Sequence, residues 1–325
     1  MMRCARISQF GALDVIETVQ VAKPVPAADE VLVKVKAAGV NFIDTYMRSG
    51  LYPSELPLIL GKEGAGEIVA TGADVDTLNV GDRVAFFVPR GAFAELICVK
   101  AARALPCPDA VSDETAAASV LQGLTAHYLC HDTHHVGPES TVLVWAAAGG
   151  TGGLLVQMCK NLGARVVAIA GGPAKAEAAR ELGADAVVDY KNVADLDAAI
   201  AEATQGQGVT VVFDGVGKSS FETSLKALRP LGHLVTFGNA SGKVPPVEPL
   251  ALMRAGSITL TRPSLRHYVA TDEALRTRAK AVFDMLQSGA VTVRIGGTCS
   301  LDQVAKAQED LLSGTTQGKL LVLPQ

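Results

Sequence analysis

The chain has 325 residues, about twice the ordinary length of one domain, so two domains are expected. Its 49% hydrophobic and 19% charged residues leave little room for long disorder, and a net charge of −4 counts against a general electrostatic hold on nucleic acid. No run nears the roughly 20 apolar residues of a membrane span, the opening segment lacks signal-peptide form, and six scattered cysteines without a C-x-x-C pair read as reduced thiols, so a cytoplasmic protein is expected.

In the first third, valine alternation and glycine turns at Val31–Lys36, Gly66–Ala70 and Gly81–Phe86 predict strands of a small, partly open β-barrel. From about Thr141 the texture changes. A strand over Thr141–Ala146, a glycine turn and a helix over Leu154–Leu162 begin a strand–helix alternation. It continues through apolar strands at Arg165–Ala170, Ala186–Val188, Val209–Asp214 and His233–Gly238. Phe221, Leu225 and Leu228 mark the buried face of one intervening helix. This is the pattern of an α/β, doubly wound parallel sheet. After Pro263 an amphipathic helix carries Leu275, Ala279, Val282, Phe283 and Leu286 on its apolar side. Another begins at Ser300–Gln303, which has capping-box form. The chain closes on a strand-like Lys319–Leu323, for which the first-third barrel is the expected host.

The strand before Ala146 runs straight into glycines that open a helix, the setting in which a dinucleotide pyrophosphate meets free backbone N–H groups. In the G-x-G-x-x-G frame the three positions are Ala147, Gly149 and Gly152, so the fingerprint has alanine at its first place. Preference for NAD normally needs a carboxylate at the end of the next strand. Here that strand ends in Ala170, Gly171 and Gly172 with no acid, and Lys175 follows in a short glycine-rich loop. A missing carboxylate removes repulsion toward a 2′-phosphate and an ammonium supplies attraction, so NADPH is the expected cofactor.

Asn41–Tyr52, Ala146–Gly150, Phe237–Gly242 and Thr261–Ser264 resemble the zinc-free quinone oxidoreductase, or zeta-crystallin-like, branch of the medium-chain dehydrogenase/reductases, and the likeness runs over nearly the whole chain. The resemblance implies a Rossmann domain over 124–263 inserted in a GroES-like catalytic domain of residues 1–123 and 264–325, with the active site in the cleft between them. It also implies a homodimer joined along an edge strand at Ser257–Thr261. Carried over, Phe42, Ile43 and Asp44 line the nicotinamide side with Asn41, while Gly149, Gly150 and Thr151 hold the pyrophosphate. Gly171, Gly172, Lys175 and Tyr190 hold the 2′-phosphate region. Val216, Phe237, Gly238, Asn239, Arg262, Pro263 and Ser264 wrap the nicotinamide ribose, and Tyr128 joins the cofactor-binding candidates. Two departures are Thr151, where valine is usual, and Gly215, where serine is common.

Zinc alcohol dehydrogenases resemble this chain in layout, but they place cysteine where Asn41 stands and histidine where Lys62 stands, before a shared Glu63. The cysteine-rich structural zinc lobe is absent between Arg90 and Lys100. No metal is expected, and Lewis-acid activation of an alcohol is lost with it. His127, Cys130, His131, His134 and His135 lie within nine residues, and the pairs His127/His131 and His131/His135 have the i,i+4 spacing of a chelating helix face, but the segment reads as a solvated helix end. The implied activity is NADPH-dependent reduction of a quinone or another electron-poor small molecule, with hydride and one-electron routes both open. Catalytic candidates are Asn41, Tyr46 and Tyr52; each tyrosine, on the loop after Asn41, can donate a hydrogen bond to a developing oxyanion or simply form an aromatic wall. Reduction of the C=C bond of an unsaturated ketone or aldehyde is the alternative. An AU-rich RNA-binding or crystallin-like structural role is the alternative of another class.

Overall fold

The computed structural model describes residues 1–324, and the chain divides into two compact units. One comprises Met1–Gln122, Val269–Gly289 and the segment from Val293 onward; the other comprises Gly123–Tyr268 with Ala290–Thr292. The opening strands are β1 (Met2–Ile7), β2 (Glu17–Val21), β3 (Glu30–Gly39), β4 (Leu58–Ile59), β5 (Glu63–Thr71), β6 (Arg83–Phe87), β7 (Leu96–Lys100) and β8 (Ala104–Pro106). They are followed by β9 (Thr141–Trp145), β10 (Arg165–Ala170), β11 (Ala186–Asp189), β12 (Val209–Asp214), β13 (Leu228–Thr236) and β14 (Thr259–Thr261). The last two are β15 (Ile295–Cys299) and β16 (Lys319–Val322). Helices α1 (Phe42–Arg48), α2 (Asp113–Tyr128), α3 (Gly150–Asn161), α4 (Pro173–Glu181) and α5 (Leu196–Ala203) precede α6 (Phe221–Ala227), α7 (Pro249–Arg254), α8 (Leu265–Tyr268), α9 (Asp272–Gln287) and α10 (Val304–Ser313).

In the first unit a mixed sheet runs β15-β16-β3-β5-β6-β8, with β7 also on β3, beside a three-stranded antiparallel sheet β2-β1-β4. The alternation in β3 is plain: Val31, Val33 and Val35 are buried while Lys34 is exposed, so one face of the strand enters the core. β7 pairs with the first half of β3, and β16 pairs antiparallel with its end at Ala38 and Gly39. The strand Lys319–Val322 thus joins the sheet of the first third, the host expected for it. The core around Val33, Ile68, Phe86 and Phe93 also takes in Leu301, Val304 and Val322 from the far end of the chain.

The second unit carries six parallel strands in the order β11-β10-β9-β12-β13-β14. Counted from β9, this is the doubly wound order that reverses between its first and fourth strands, where such sheets bind ligands beyond the strand ends. β12 is buried along its full length, as expected of a parallel strand covered on both faces. One boundary differs from the helical spacing in the sequence. Leu228 leaves α6 and pairs with Val209 as the first residue of β13; two residues on, Pro230 lacks the N–H that would continue the helix and disfavours helical geometry at Arg229.

Candidate active site

β9 ends at Trp145, and Ala146 takes a left-handed φ of 51° before Gly149 caps α3. The first amides of α3, from Gly150, have no carbonyl one turn earlier to accept them, so they are available to an anion. The glycine that the turn needs most is Gly152: a Cβ there would stand 2.2 Å from the Ala146 carbonyl oxygen. Close approach of helix to strand is therefore what the third glycine of the frame secures. The residues fit a pyrophosphate in donor type and in room.

A second turn follows β10. Gly172 caps α4 at φ 97°, its N–H donating to Asp189 Oδ1 at 2.7 Å, and the Tyr190 ring lies across Gly171, where a Cβ would meet its hydroxyl at 2.5 Å. Lys175 is in the first turn of α4, not in a loop, and is half-buried. Burial lowers its affinity for a proton first, and the neighbouring charge of Lys191 adds to that. Like charges in mutual reach are relieved by an anion. Sequence reasoning missed Lys191 and Asp189. The Asp189 carboxylate is held low despite some desolvation, since it accepts from Gly172 N, Lys191 N and Asn192 Nδ2; it serves the turn itself.

Beyond β12, buried Asp214 accepts from the amides of Val216 and Gly217 and from the hydroxyls of Ser220 and Ser224, and Ser224 in turn accepts from Trp145 Nε1 at 2.8 Å. This network shapes the Val216 turn. Gly215 leaves room for the Phe237 ring, which a Cβ would approach to 3.0 Å, and Gly238 passes against the Gly215 carbonyl. Arg262 donates to the carbonyls of Thr236 and Gly238. With its amide oriented to satisfy both partners, Asn239 accepts from Arg262 and donates to Gly238 O, each at 3.0 Å. Arg262 thus braces the Phe237–Asn239 loop, and exposed Ser264 accepts from His267 N after Pro263.

In the first unit, Asn41 precedes α1 and is 5% exposed. Its Oδ1 accepts from Lys319 Nζ at 2.6 Å and Gln122 Nε2 at 3.3 Å, and its Nδ2 donates to Glu63 Oε1 at 2.7 Å and Gly39 O at 3.1 Å. Two lone pairs and two N–H groups are the whole capacity of an amide. The side chain keeps nothing for an acceptor molecule. Lys62 donates to Pro89 O at 2.9 Å, its proton affinity lowered chiefly by burial. Asp44 Oδ2 accepts from Asn41 N, while its Oδ1 is buried with no hydrogen-bond partner. Burial pushes the Asp44 carboxyl up to about 7 against the opposing pull of Asn41 N, Lys319 and Lys62. Phe42 and Ile43 are half-buried in the same turn. At the other end of α1, buried Arg48 donates to Gln308 Oε1 and Gly11 O.

Tyr46 is a buried residue of α1, not a loop residue, and it packs edge-on against Tyr52 with ring centroids 5.4 Å apart. Tyr52, beyond the helix, is 37% exposed and donates its N–H to Tyr46 O. Tyr128 is 2% exposed and stacked on Tyr268 at 4.1 Å, so that ring face is taken by the protein. The histidine segment is also less solvated than its polarity suggested. Leu129–Thr133 forms a π-helical turn, the His127 and His131 rings lie 4.2 Å apart at a tilt of 32°, and His134 Nδ1 lies 3.4 Å from His233 Nδ1. Among the described residues no group of three or more His, Cys, Asp or Glu side chains is placed to hold a metal ion.

Residues 27–138 match the family described as alcohol dehydrogenase GroES-like domain, and residues 150–296 match that described as zinc-binding dehydrogenase. A quinone oxidoreductase of Pseudomonas aeruginosa is 40% identical, with each chain covered in full. A mycobacterial protein solved in complex with NADPH superposes with a TM-score of 0.96 at 42% identity, over 99% of this chain and 100% of that one. The Escherichia coli quinone oxidoreductase, also complexed with NADPH, gives 0.94 at 38% identity over 99% and 100%.

Proposed function

Because this chain belongs to the quinone oxidoreductase branch of the medium-chain dehydrogenase/reductase superfamily, we propose that it is an NADPH-dependent quinone reductase that works without a catalytic metal. The observation that carries the cofactor assignment is the second turn: no acid ends β10, and Lys175 and Lys191 gather beside Gly171 and Gly172. Gly150 and Thr151 hold the pyrophosphate through backbone amides, and Gly149, whose own N–H is given to Ala146 O, caps the helix that presents them. Tyr190 packs beside the 2′-phosphate, and the Val216 and Phe237–Asn239 loops enclose the nicotinamide ribose.

NADPH, when bound, supplies the reducing hydrogen from its nicotinamide. The protein's share is to hold a flat acceptor in position; a reduced quinone delocalises its charge and takes its proton from solvent, so no strong acid is required of the site. Tyr46 and Tyr52 orient the acceptor. Metal independence is supported by the residue types at the Asn41 position, where an amide and Lys62 stand beside Glu63 and are engaged by protein groups. A homodimer paired along the exposed edge of β14 and a cytoplasmic location complete the proposal. Among the described residues, no helix is long and apolar enough to cross a membrane.

Steady-state NADPH oxidation against a panel of quinones and enones tests the reading, run with and without prior chelator treatment. Quinones should turn over faster than enones, NADPH should bind more tightly than NADH, and the chelator should leave the rate unchanged. Faster enone turnover would move the assignment to C=C reduction, and activity lost to the chelator would restore a metal.

A further inference from the structure

A charge pair lies fully inside the first unit. Lys319 is 1% exposed and Glu63 is 0% exposed, and Lys319 Nζ lies 2.5 Å from Glu63 Oε1. Taking two such ions out of water costs several kcal/mol each before their attraction offsets it, so stability is a weak reason for the pair to exist. Its partners point elsewhere. The ammonium also donates to Asn41 Oδ1, and the same Glu63 oxygen accepts from Asn41 Nδ2. Glu63 Oε2 accepts from Leu121 N at 2.6 Å, in α2. Gly39 leaves the space they occupy: a Cβ there would stand 2.3 Å from Glu63 Oε1 and 2.6 Å from Lys319 Cε.

The two ions grip opposite ends of one amide, so they fix its rotation about χ2 as well as its place. An amide turned over would set its oxygen against the carboxylate and its NH2 against the ammonium, repulsive on both sides. Through the Asn41 backbone N–H on Asp44, that orientation is passed to the first turn of α1, the helix that carries Tyr46. We propose that Lys319 and Glu63 are positioning residues: together they lock the Asn41 amide and so fix the start of α1, with Asn41 acting as a strut and not as a contact to the acceptor. Its kinetic consequence rests on the reading that α1 and its tyrosines serve the acceptor site; its structural consequence does not.

The test compares Lys319→Met, the double variant Glu63→Gln/Lys319→Met, and Asn41→Ala, which keeps the ion pair. Amide hydrogen exchange of the peptide over residues 41–48, the thermal midpoint and quinone kinetics are measured on the full chain. Lys319→Met should lower the midpoint, since it leaves a carboxylate buried without its cation. The double variant should recover much of that loss while the 41–48 amides still exchange at least about tenfold faster and quinone KM stays several-fold raised at little change in kcat. Recovery of exchange and KM together with the midpoint would show a charge-burial role only and overturn the proposal. If neither lysine variant folds, Asn41→Ala decides alone: faster exchange at 41–48 upholds the strut, and unchanged exchange overturns it. A parent protein that reduces no quinone would sink the functional reading and leave the exchange result to judge this one.

Discussion

The turns of the second unit and the Asn41 cluster of the first treat their polar groups in opposite ways. At Gly150 and Thr151 the donors are backbone amides at the start of a helix, and Lys175 and Lys191 lie close enough for their charges to act on each other. At Asn41 every donor and acceptor of the side chain is spent on Gly39, Glu63, Gln122 and Lys319. An open set suits binding, because a ligand completes it. A closed set suits shape, because any intruder must break it. Two motifs of equal prominence in the sequence thus have different physical roles.

The largest effect should come from closing the open turn. Gly152→Val puts a side chain against the Ala146 carbonyl and should weaken NADPH by about a hundredfold or more, near 2.7 kcal/mol, in a fluorescence titration. An affinity within about threefold of the parent would mean that the turn tolerates displacement and that the room argument is wrong. Lys175→Ala should raise the NADPH Kd by about tenfold, leave NADH unchanged, and lose influence as salt rises. Equal losses for both cofactors would place that lysine away from the 2′-phosphate.

The two regions should also answer to pH with opposite signs. Asp44, pushed up to about 7 by burial, holds its proton in the folded state where the unfolded chain, at 3.8, releases it. Its contribution is present below about pH 3.8 and is lost progressively as the pH rises toward about 7. His134, half-buried against His233, is pushed down to about 4 from 6.5, so the stability it gives above about pH 6.5 is lost as the pH falls toward 4. Thermal midpoints across that range should show Asp44→Asn gaining on the parent as pH rises and His134→Gln gaining on it as pH falls. Parallel curves in either case would refute the assignment for that group.

The smallest effect should be at Tyr52. With its ring packed against Tyr46 and the residue 37% exposed, Tyr52→Phe should slow quinone turnover by less than about tenfold, near 1.4 kcal/mol, and mainly through KM. A loss of about a thousandfold in kcat alone would identify a general acid and contradict an orienting role.

What the sequence determined by itself is local. Period-2 alternation laid out β3, glycines placed the α3 turn, and the empty strand end at Ala170 and Gly171 named the cofactor, since each of these is decided by residues within a few positions of one another. The helix carrying Tyr46, the stacking of Tyr128 on Tyr268 and the pairing of His134 with His233 were not legible, because their partners come from other elements. The Asn41 cluster shows this most sharply. Lys319 lies 278 residues from Asn41 and 256 from Glu63, and only the antiparallel seating of β16 on the end of β3 brings its ammonium to them. A lone lysine near a chain end reads as solvated. Tertiary structure decided otherwise, since a buried ammonium is tolerated only where the fold supplies a carboxylate and an amide oxygen to meet it.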